Sequence, residues 1–370
     1  MSTFKQLGIR QDYIKGLQEL GILTPTEIQE KAIPVLLDSP TDFIGLAQTG
    51  TGKTAAYGLP LLETIDANTP LIQGLILSPT RELVQQIKKQ LFRYTKYIDK
   101  KIFLEALYGG EKIDRQINRL KRPTHIVVAT PGRLIDLIER DVVNLRNIKT
   151  LVLDEADEML NMGFQKDVNR ILQYTKGQKN TWLFSATMPE EIQAIIRNYM
   201  AKDRVEVKVN RNNVVNKNIV HYYKLTSLKN KLDTLLNLLD QKQEERGIIF
   251  VKTKLGAQKL AAELQEEGFS VKALEGDMQQ KEREKVMRAF KNGSLQYLVS
   301  TDVSARGIDV ADLNFIIHYQ LPEQREYYTH RSGRTARAGK KGESIALVLP
   351  SEMQDIYDLQ DKLNIQFQEL

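Results

Sequence analysis

Short apolar runs alternate with longer stretches of helical period along most of the chain. The apolar runs of the first half are residues 43–46, 75–77, 126–128, 151–153 and 182–184. Near-continuous apolar runs of this kind are typical of strands that are covered on both faces, as in a parallel sheet. Stretches of helical period, such as 81–97 and 190–199, lie between these runs. The alternation therefore predicts a doubly wound α/β layer.

The alternation stops near Val209 and begins again beyond a polar segment. Residues 210–218 are rich in asparagine, which is typical of a linker. The second series consists of apolar runs at 247–251, 297–299, 315–317 and 345–349, with a helical stretch at 352–363. An amphipathic stretch, residues 5–20, precedes the first series and ends at a turn that contains Gly21 and Pro25. We therefore predict two α/β domains joined by a hinge.

The amino-acid composition limits the classes of protein to which the chain can belong. The chain has 370 residues, which fits two domains at roughly 150 residues each. Hydrophobic residues make up 41% and charged residues 27%, which excludes a wholly disordered or collagen-like chain. The sequence contains no cysteine, so disulfides, cysteine zinc sites and cysteine nucleophiles are excluded. We expect a cytoplasmic protein, because there is neither a signal-peptide core nor an apolar run near the ~18 residues that a membrane span needs.

A glycine-rich segment follows the first apolar run and precedes a helical stretch. It reads Ala47-Gln48-Thr49-Gly50-Thr51-Gly52-Lys53-Thr54. Glycines allow backbone N–H groups to turn towards phosphate oxygens, and a helix that begins at Lys53 adds its positive N-terminal dipole. In a P-loop of this kind Lys53 contacts the β- and γ-phosphates, and the Thr54 hydroxyl coordinates Mg²⁺. The alternative is a glycine-rich turn with a surface lysine.

A second apolar run ends in acidic residues. Residues 151–153 lead directly into Asp154-Glu155-Ala156-Asp157. Because ligands of open parallel sheets bind beyond the carboxyl ends of the strands, Asp154 is predicted to hold Mg²⁺, directly or through water. Glu155 is predicted to orient and deprotonate the attacking water. The alternative is a helix N-terminus with favourable acids, which the upstream P-loop makes a weaker interpretation.

A basic cluster lies far downstream, between Tyr328 and Gly339. Arg334 and Arg337 are three residues apart, so on a helical turn they would share one face and their guanidinium groups would clamp a phosphoryl oxygen. The first domain carries the phosphate loop and the second carries this cluster. We therefore expect a composite site at the domain interface, with both arginines acting in the transition state. An RNA-facing basic patch is the alternative that stays open.

The ordered motifs closely resemble those of the DEAD-box RNA helicases along essentially the whole chain. Asp154-Glu155-Ala156-Asp157 spells the signature of that family. The segments similar to its other motifs are 21–29 (the Q motif, with Phe4 upstream), 47–54 (motif I), 79–83 (Ia), 109–110 (the Gly-Gly pair), 130–133 (Ib), 185–187 (III), 249–251 (IV), 301–302 and 305–309 (V) and 330–337 (VI).

The resemblance implies two tandem RecA-like domains, each with a mostly parallel sheet and helices on both faces. It divides the chain into a Q-motif region (1–30), an ATP-binding domain (31–209), a short flexible linker (210–218) and a C-terminal domain (219–370). It implies an enzyme that uses ATP and Mg²⁺ and couples RNA-stimulated hydrolysis to local, sequence-tolerant unwinding of short RNA duplexes and to remodelling of ribonucleoproteins. The alternative is an ATP-gated RNA clamp or assembly scaffold with little productive unwinding.

The implied partners are single-stranded and short duplex RNA, with ribosomal or RNA-decay ribonucleoproteins as candidates. The implied core is monomeric, without membrane association. The abundance of lysine, isoleucine and asparagine suggests a bacterial source.

The resemblance also implies a set of nucleotide-binding residues. Gln29 and Thr26 would read the adenine edge, and Ile22 stands where the family often has an aromatic residue that stacks on the base. Asp309 would contact the ribose, with Gly307 lying close by. The implied set is completed by Phe4 and by Ala47, Gln48, Thr49, Gly50, Thr51, Gly52, Lys53 and Thr54.

Two further groups follow from the resemblance. Ser185 and Thr187 would couple hydrolysis to RNA binding through His330. The implied RNA path consists of Pro79, Thr80, Arg81, Gly110, Thr130, Gly132, Arg133, Thr301 and Arg306. Contacts of these residues to phosphates and 2′-hydroxyls would give salt-sensitive binding with little sequence preference. Trp182, in contrast, is expected in the core.

Overall fold

The computed structural model describes residues 2–48, 50–175, 177, 179–209, 218–305, 313–323, 325–336 and 341–370. The chain divides into two compact units, Met1–Asn210 and Arg211–Leu370. The predicted linker, apart from Asn218, lies outside the described residues. No helix in these ranges is both long and apolar enough to cross a membrane.

The first unit contains a seven-stranded sheet in which the neighbouring strands pair in parallel. Its strands are β1 (Phe43–Leu46), β2 (Gly74–Leu77), β3 (Leu104–Leu107), β4 (Ile126–Ala129), β5 (Thr150–Asp154), β6 (Asn180–Ser185) and β7 (Val205–Lys208). Their spatial order is β3-β4-β2-β5-β6-β1-β7. Its helices are α1 (Gln11–Glu19), α2 (Glu27–Asp38), α3 (Lys53–Glu63), α4 (Arg81–Tyr94), α5 (Ile113–Leu120), α6 (Pro131–Glu139), α7 (Ala156–Asn161), α8 (Gln165–Tyr174) and α9 (Glu190–Tyr199).

Helices cover both faces of this sheet. Successive strand residues alternate between two hydrophobic clusters, so that Phe43 packs with α1 to α4 while Ile44 packs with α6 to α9. Trp182 belongs to the first cluster and its indole N–H donates to the carbonyl of Thr41 at 3.1 Å, which confirms its assignment to the core. A sheet buried on both faces needs strands that are apolar at every position. This requirement explains the continuous apolar runs in the sequence.

The second unit repeats the arrangement with its own parallel sheet of seven strands. The strands are β8 (Ile219–Leu225), β9 (Gly247–Phe250), β10 (Val271–Leu274), β11 (Tyr297–Ser300), β12 (Phe315–His318), β13 (Gly342–Val348) and β14 (Phe367–Glu369). Their order is β10-β11-β9-β12-β13-β8-β14. The helices are α10 (Lys231–Lys242), α11 (Lys254–Glu266), α12 (Gln280–Lys291), α13 (Asp302–Ala305), α14 (Arg325–Ser332) and α15 (Met353–Leu363). The predicted fold class, two α/β units with parallel sheets, is therefore confirmed.

The amphipathic stretch predicted at 5–20 is only half helical. Residues 4–8 form a turn that Gly8 closes with a φ of +92°, and the helix begins at Gln11. The apolar spacing of the stretch remains meaningful, because Phe4, Leu7, Tyr13 and Leu17 are all buried in the same hydrophobic cluster. A turn can thus present apolar side chains at spacings that resemble a helix.

Local sequence signals fix the starts of the helices that follow the predicted RNA motifs. The Thr80 hydroxyl accepts a hydrogen bond from the Leu83 N–H at 3.3 Å and caps α4. Buried side chains then recur along α4 at a spacing of three or four residues, as expected of a helix with one face on the core. In α6, Pro131 occupies the first turn, where its missing N–H costs nothing.

Asp42 fastens β1, the strand that leads into the glycine-rich loop. Its carboxylate accepts hydrogen bonds from the backbone N–H groups of Thr181 and Ala201, both at 2.6 Å. These bonds join the start of β1 to the start of β6 and to the segment that follows α9. One buried carboxylate therefore holds three separate parts of the chain together.

Replacing Asp42 by alanine removes the acceptor for both N–H groups. Since a hydrogen bond to a charged group contributes about 1.5–3 kcal/mol, we expect the free energy of unfolding of the first unit to fall by about 3 kcal/mol. Urea denaturation of the full chain measures this value. Asp38→Ala removes the same charge from an exposed position and is expected to have little effect. A loss below about 1 kcal/mol for Asp42→Ala would contradict this role.

Candidate functional site

The glycine-rich loop connects the carboxyl end of β1 to the N-terminus of α3. Gly50 and Gly52 have φ angles of +78° and +91°, the left-handed region that favours glycine. At Gly52 a Cβ atom would also lie 2.3 Å from the Gln29 side-chain nitrogen. Thr49 of this loop lies outside the described residues. Both the backbone angle and the close approach therefore require glycine at position 52.

Lys53, the first residue of α3, has an unusual environment for a charged side chain. Its side chain is only 6% exposed, and its buried Nζ has no hydrogen-bond partner within the described structure. A buried ammonium without a partner is costly, so such groups are normally paired. An anion bound at the loop would supply the missing acceptors. The N-terminal dipole of α3 favours an anion at the same position.

Asp154 ends β5 and is also buried, with 4% exposure. Its Oδ1 accepts a hydrogen bond from the Glu155 N–H at 3.1 Å, and its Oδ2 accepts one from the Tyr57 hydroxyl at 2.9 Å. Burial raises the pKa of Asp154, while the nearby Lys53 ammonium and the hydrogen bond from Tyr57 act in the opposite direction. Burial and the neighbouring Asp154 carboxylate raise the pKa of Tyr57 well above its ordinary value.

Glu155 lies on the sharp turn between β5 and α7. Its φ is +50°, in the left-handed region that non-glycine residues rarely adopt. Such a conformation costs about 1–3 kcal/mol and persists where surrounding structure enforces it, most often at functional sites. The strain agrees with the prediction that this carboxylate has a chemical role.

Asp157 joins the acidic signature to the end of β6. Its Oδ2 accepts hydrogen bonds from both the N–H and the hydroxyl of Thr187, each at 2.8 Å. Its own N–H donates to the Ser185 hydroxyl at 3.3 Å. The predicted coupling residues Ser185 and Thr187 are therefore in direct contact with the acidic signature. Their predicted link to His330 is not tested by these contacts.

Thr26 and Gln29, the predicted adenine readers, hold the loop itself. The Thr26 hydroxyl donates to the Thr51 carbonyl at 2.8 Å, and the Gln29 amide donates to the Gly52 carbonyl at 2.9 Å. Gln29 Oε1 also accepts from the Thr26 N–H at 3.0 Å. A glutamine amide has a second proton and further lone pairs, so contact with a base remains compatible with these bonds. Adenine reading stays a prediction.

Phe4 and Ile22 of the predicted nucleotide set pack in the first unit, and their contact with a nucleotide stays a prediction. Phe4 is 3% exposed and belongs to the hydrophobic core of the first unit. Ile22 is half-buried and packs against that core.

Gln48 is half-buried, and its carbonyl accepts a hydrogen bond from the Thr51 hydroxyl at 2.7 Å. Ala47 is buried at the end of β1, where its N–H donates to the Ser185 carbonyl at 3.0 Å.

The predicted RNA-path residues of the first unit cluster at helix starts. Pro79 and Thr80 precede α4, while Thr130 precedes α6 and Gly132 lies within its first turn. Arg81 packs closely on Gly110, because a Cβ there would lie 2.1 Å from the guanidinium. Free N–H groups at helix N-termini are suited to phosphate.

Arg133, another residue of the predicted RNA path, is bound to the segment that precedes α5. Its side chain is 10% exposed, and both terminal nitrogens donate to the Glu111 carbonyl at 3.2 Å. These bonds hold the segment after the Gly109-Gly110 pair against α6. Arg133 therefore supports this segment, and its contact with RNA stays a prediction.

In the second unit, the prediction that Arg334 and Arg337 share a helical face is wrong. Helix α14 ends at Ser332, and Ala336 has a φ of +55°, so the chain has left the helix before Arg334. Arg334 Nε donates to the His330 carbonyl at 3.2 Å. The remaining predicted residues Arg337, Arg306, Gly307 and Asp309 lie outside the described residues.

Arg331, in the last turn of α14, makes its contacts within the second unit. Its guanidinium forms a bidentate ion pair with Asp302 at 2.5 and 2.7 Å and donates to the Gln320 carbonyl at 2.7 Å. Thr301, a predicted RNA contact, is buried, and its hydroxyl donates to Ser304 at 3.1 Å. The basic cluster is therefore not a uniformly solvated face.

The residues of the first unit fit a magnesium nucleotide. Mg²⁺ is usually held by one or two carboxylates together with phosphate oxygens and water. Asp154 supplies one buried carboxylate, Thr54 supplies a hydroxyl at the start of α3, and the unpartnered Lys53 ammonium requires an anion. The donor set thus fits a nucleotide phosphate accompanied by Mg²⁺.

Comparisons with known proteins agree with this geometry. The DEAD/DEAH box helicase family model matches residues 26–195, and the helicase conserved C-terminal domain model matches residues 230–339. The chain is 41% identical over 360 residues to the DEAD-box ATP-dependent RNA helicase CshA of Geobacillus kaustophilus, which covers 97% of this chain and 76% of that protein. The chain belongs to the DEAD-box family of RNA helicases. Its activity class is therefore RNA helicase and ATPase.

Other DEAD-box proteins extend the comparison. The ATP-dependent RNA helicase CshA of Limosilactobacillus reuteri is 42% identical over 357 residues, covering 96% of this chain and 71% of that protein. The solved structure of S. cerevisiae Dbp5 bound to RNA and ADP BeF3 has a TM-score of 0.91 and 30% identity, covering 100% of this chain and 96% of that one. The chain spans 66% of the CshA of Bacillus cereus.

The DEAD-box motifs alone did not identify Tyr57 as a site residue. Tyr57 lies in α3, on the apolar side of the helix, and its sequence context reads as ordinary core. Only the fold brings its hydroxyl to Asp154, which is 97 residues away. The available signal was its spacing of three residues from Thr54, which puts both on one face of the helix.

Gln29→Ala separates loop support from base recognition. Each hydrogen bond of about 1.4 kcal/mol corresponds to tenfold in affinity, so we expect ATP affinity to fall at least tenfold. If Gln29 also reads adenine, the preference for ATP over GTP falls as well, because GTP binding loses only the loop support. Equilibrium titration with both nucleotides measures the two values. Lys31→Ala, on the exposed side of α2, is the control, and an unchanged ATP-to-GTP ratio would contradict base reading.

Proposed function

We propose that this protein is an RNA-stimulated ATPase that separates short RNA duplexes locally and remodels ribonucleoproteins. The observation that carries this proposal is the buried, unpartnered ammonium of Lys53 at the start of α3, close to the buried carboxylate of Asp154. A site built in this way is completed by a polyphosphate, which supplies negative oxygens to Lys53 and to the N-terminal dipole.

The triphosphate is bound by the loop 47–54, with Lys53 at the β- and γ-phosphates. Thr54 and Asp154 would hold Mg²⁺, which when bound would supply positive charge to the phosphate oxygens. Glu155 positions the attacking water and accepts its proton. Gln29 and Thr26 contact the adenine edge while they support the loop through Gly52 and Thr51.

RNA is bound through phosphates and 2′-hydroxyls. The helix starts at Thr80 and Thr130 offer N–H groups to phosphates, and Arg81 adds a cation beside Gly110. Contacts of this kind carry little sequence information, so the binding tolerates many sequences and weakens with salt. The network of Asp157, Ser185 and Thr187 links this unit's hydrolytic residues to the end of β6.

The second unit contributes Arg334 and Arg337 to the transition state for hydrolysis. Guanidinium groups stabilise the charge that develops on the transferring phosphoryl group. ATP and RNA both favour the arrangement in which the two units act together, so each increases the affinity for the other. Loss of the γ-phosphate after hydrolysis removes this preference and releases the RNA strand.

ATPase and strand-displacement assays test this function. We expect single-stranded RNA to stimulate ATP hydrolysis, and DNA of the same sequence to do so weakly, because the 2′-hydroxyl is read. Lys53→Ala abolishes ATP binding and unwinding. Glu155→Gln retains ATP binding while turnover falls by about 10²–10⁴-fold, the usual contribution of a general base.

Different outcomes of these assays would point elsewhere. Equal stimulation by RNA and DNA would contradict RNA specificity. Equal losses of binding and turnover in Glu155→Gln would contradict its role as base. ATP-dependent RNA retention without strand displacement would favour an ATP-gated clamp.

Arg334→Ala is expected to lower kcat by about 10³-fold if its guanidinium stabilises the transition state. Arg334→Lys keeps the charge but loses the planar fork, so it should recover little of this loss. Single-turnover ATPase measurements report the effect. Lys341→Ala removes a positive charge from an exposed position nearby in sequence and is the control. An unchanged kcat with reduced RNA affinity would indicate that Arg334 contacts RNA instead of the transferring phosphoryl group.

A further inference from the structure

Tyr57 contacts one of the two side chains that we propose as magnesium ligands. Its hydroxyl donates a hydrogen bond to Asp154 Oδ2 at 2.9 Å. Tyr57 is fully buried and lies one helical turn after Thr54 in α3. The phenol thus connects α3, the helix that follows the phosphate loop, with the acidic end of β5.

We propose that Tyr57 is a positioning residue that holds Asp154, relative to the helix that carries Thr54, in the orientation in which it binds Mg²⁺. This inference rests on the proposed function, because it concerns the metal that accompanies ATP. It concerns the hydroxyl of Tyr57, whereas the ring has a separate packing role.

The hydrogen bonds of Asp154 support this assignment. Oδ1 accepts a hydrogen bond from the N–H of the next residue, Glu155. This bond fixes the carboxylate only relative to its own stretch of backbone. The bond from Tyr57 to Oδ2 comes from a different element, so it fixes the carboxylate relative to α3. Partners of this kind orient metal ligands, and their loss typically lowers metal affinity by about 10–100-fold.

The packing of the ring allows the hydroxyl to be tested alone. The Tyr57 ring lies 5.2 Å from the ring of Phe184, the residue that pairs with Asp154 across β5 and β6. Tyr57→Phe keeps this ring contact and removes only the hydroxyl. A purely structural interpretation is that the buried hydroxyl uses Asp154 merely to satisfy its own hydrogen bond. This interpretation predicts altered stability with unaltered Mg²⁺ dependence.

Tyr13→Phe is a matched control. Tyr13 is also fully buried in the first unit, and its hydroxyl donates to the Leu62 carbonyl at 3.2 Å. The two variants therefore lose the same group from the same hydrophobic cluster, and each loses a buried hydrogen bond. Only Tyr57 touches a proposed metal ligand.

The test is the affinity for ATP, measured by equilibrium titration of the full chain at a series of Mg²⁺ concentrations and in EDTA. For Tyr57→Phe we expect the half-saturating Mg²⁺ concentration to rise about tenfold, within the range seen when partners of metal ligands are removed. Affinity in EDTA should stay within about twofold of wild type. Tyr13→Phe should match wild type in both measurements. Because the ratio of the two affinities is taken within one sample, a fraction of unfolded protein does not affect it.

Each other outcome has a definite meaning. An unchanged half-saturating Mg²⁺ concentration in Tyr57→Phe overturns the inference, as does an equal loss of affinity with and without Mg²⁺. A similar rise in Tyr13→Phe would also overturn it, because the effect would then be general to the core. If wild-type ATP affinity itself does not depend on Mg²⁺, the proposed function fails first.

Discussion

The site of the first unit depends on two opposite charges buried at the carboxyl edge of one parallel sheet. Lys53 follows β1 and Asp154 ends β5, with β6 between these strands. Neither charge would be stable alone in this position, because a buried ion without a partner is strongly disfavoured. The attraction between them lowers the pKa of the carboxyl against the effect of burial, while Nζ still lacks a hydrogen-bond acceptor. The pair is therefore incomplete without an anion, which is what a phosphate-binding site requires.

The surrounding hydrogen bonds keep this incomplete pair in position. Gln29 and Thr26 bind the loop carbonyls from one side, and Tyr57 binds Asp154 from within α3. Asp157 extends the network to Thr187 beyond β6. The members of this network come from α2 and its N-cap, α3, β5, α7 and the segment after β6, and parallel strands bring their carboxyl ends to the same edge. The network therefore joins residues that are distant in sequence.

The sequence predicted the central strands of both sheets but missed the edges. The strands that it did not reveal are the four edge strands β3, β7, β10 and β14, together with β8 beside an edge. Central strands are covered on both faces and on both sides, so they must be apolar throughout. An edge strand can carry polar residues, and Glu105 in β3 illustrates this by pairing with Lys88 and Arg119. Such a strand no longer has a continuous apolar run.

The same distinction applies to the site. Gly52, Lys53 and Asp154, which are distinctive through their backbone or charge, stand in short motifs and could be singled out from the sequence. Tyr57 was missed, because a buried tyrosine in an apolar helix gives no sign of its hydroxyl's partner. The helical face predicted for Arg334 was wrong, because spacing alone does not reveal that α14 ends at Ser332. Contacts across the fold and helix ends are set by tertiary packing rather than by local pattern.

The arginines of the basic cluster in the second unit differ in the contacts that they make. Arg331 lies 4.9 Å above the Phe250 ring, and its Nε and one terminal nitrogen donate to the two carboxylate oxygens of Asp302. A buried ion pair of this kind is costly to break, because removal of one partner leaves an uncompensated charge. Arg331 therefore ties α14 to α13 and holds in place the backbone that carries Arg334. Of two arginines three residues apart, Arg331 has its charge satisfied inside its own unit, whereas Arg334 lies beyond the end of the helix.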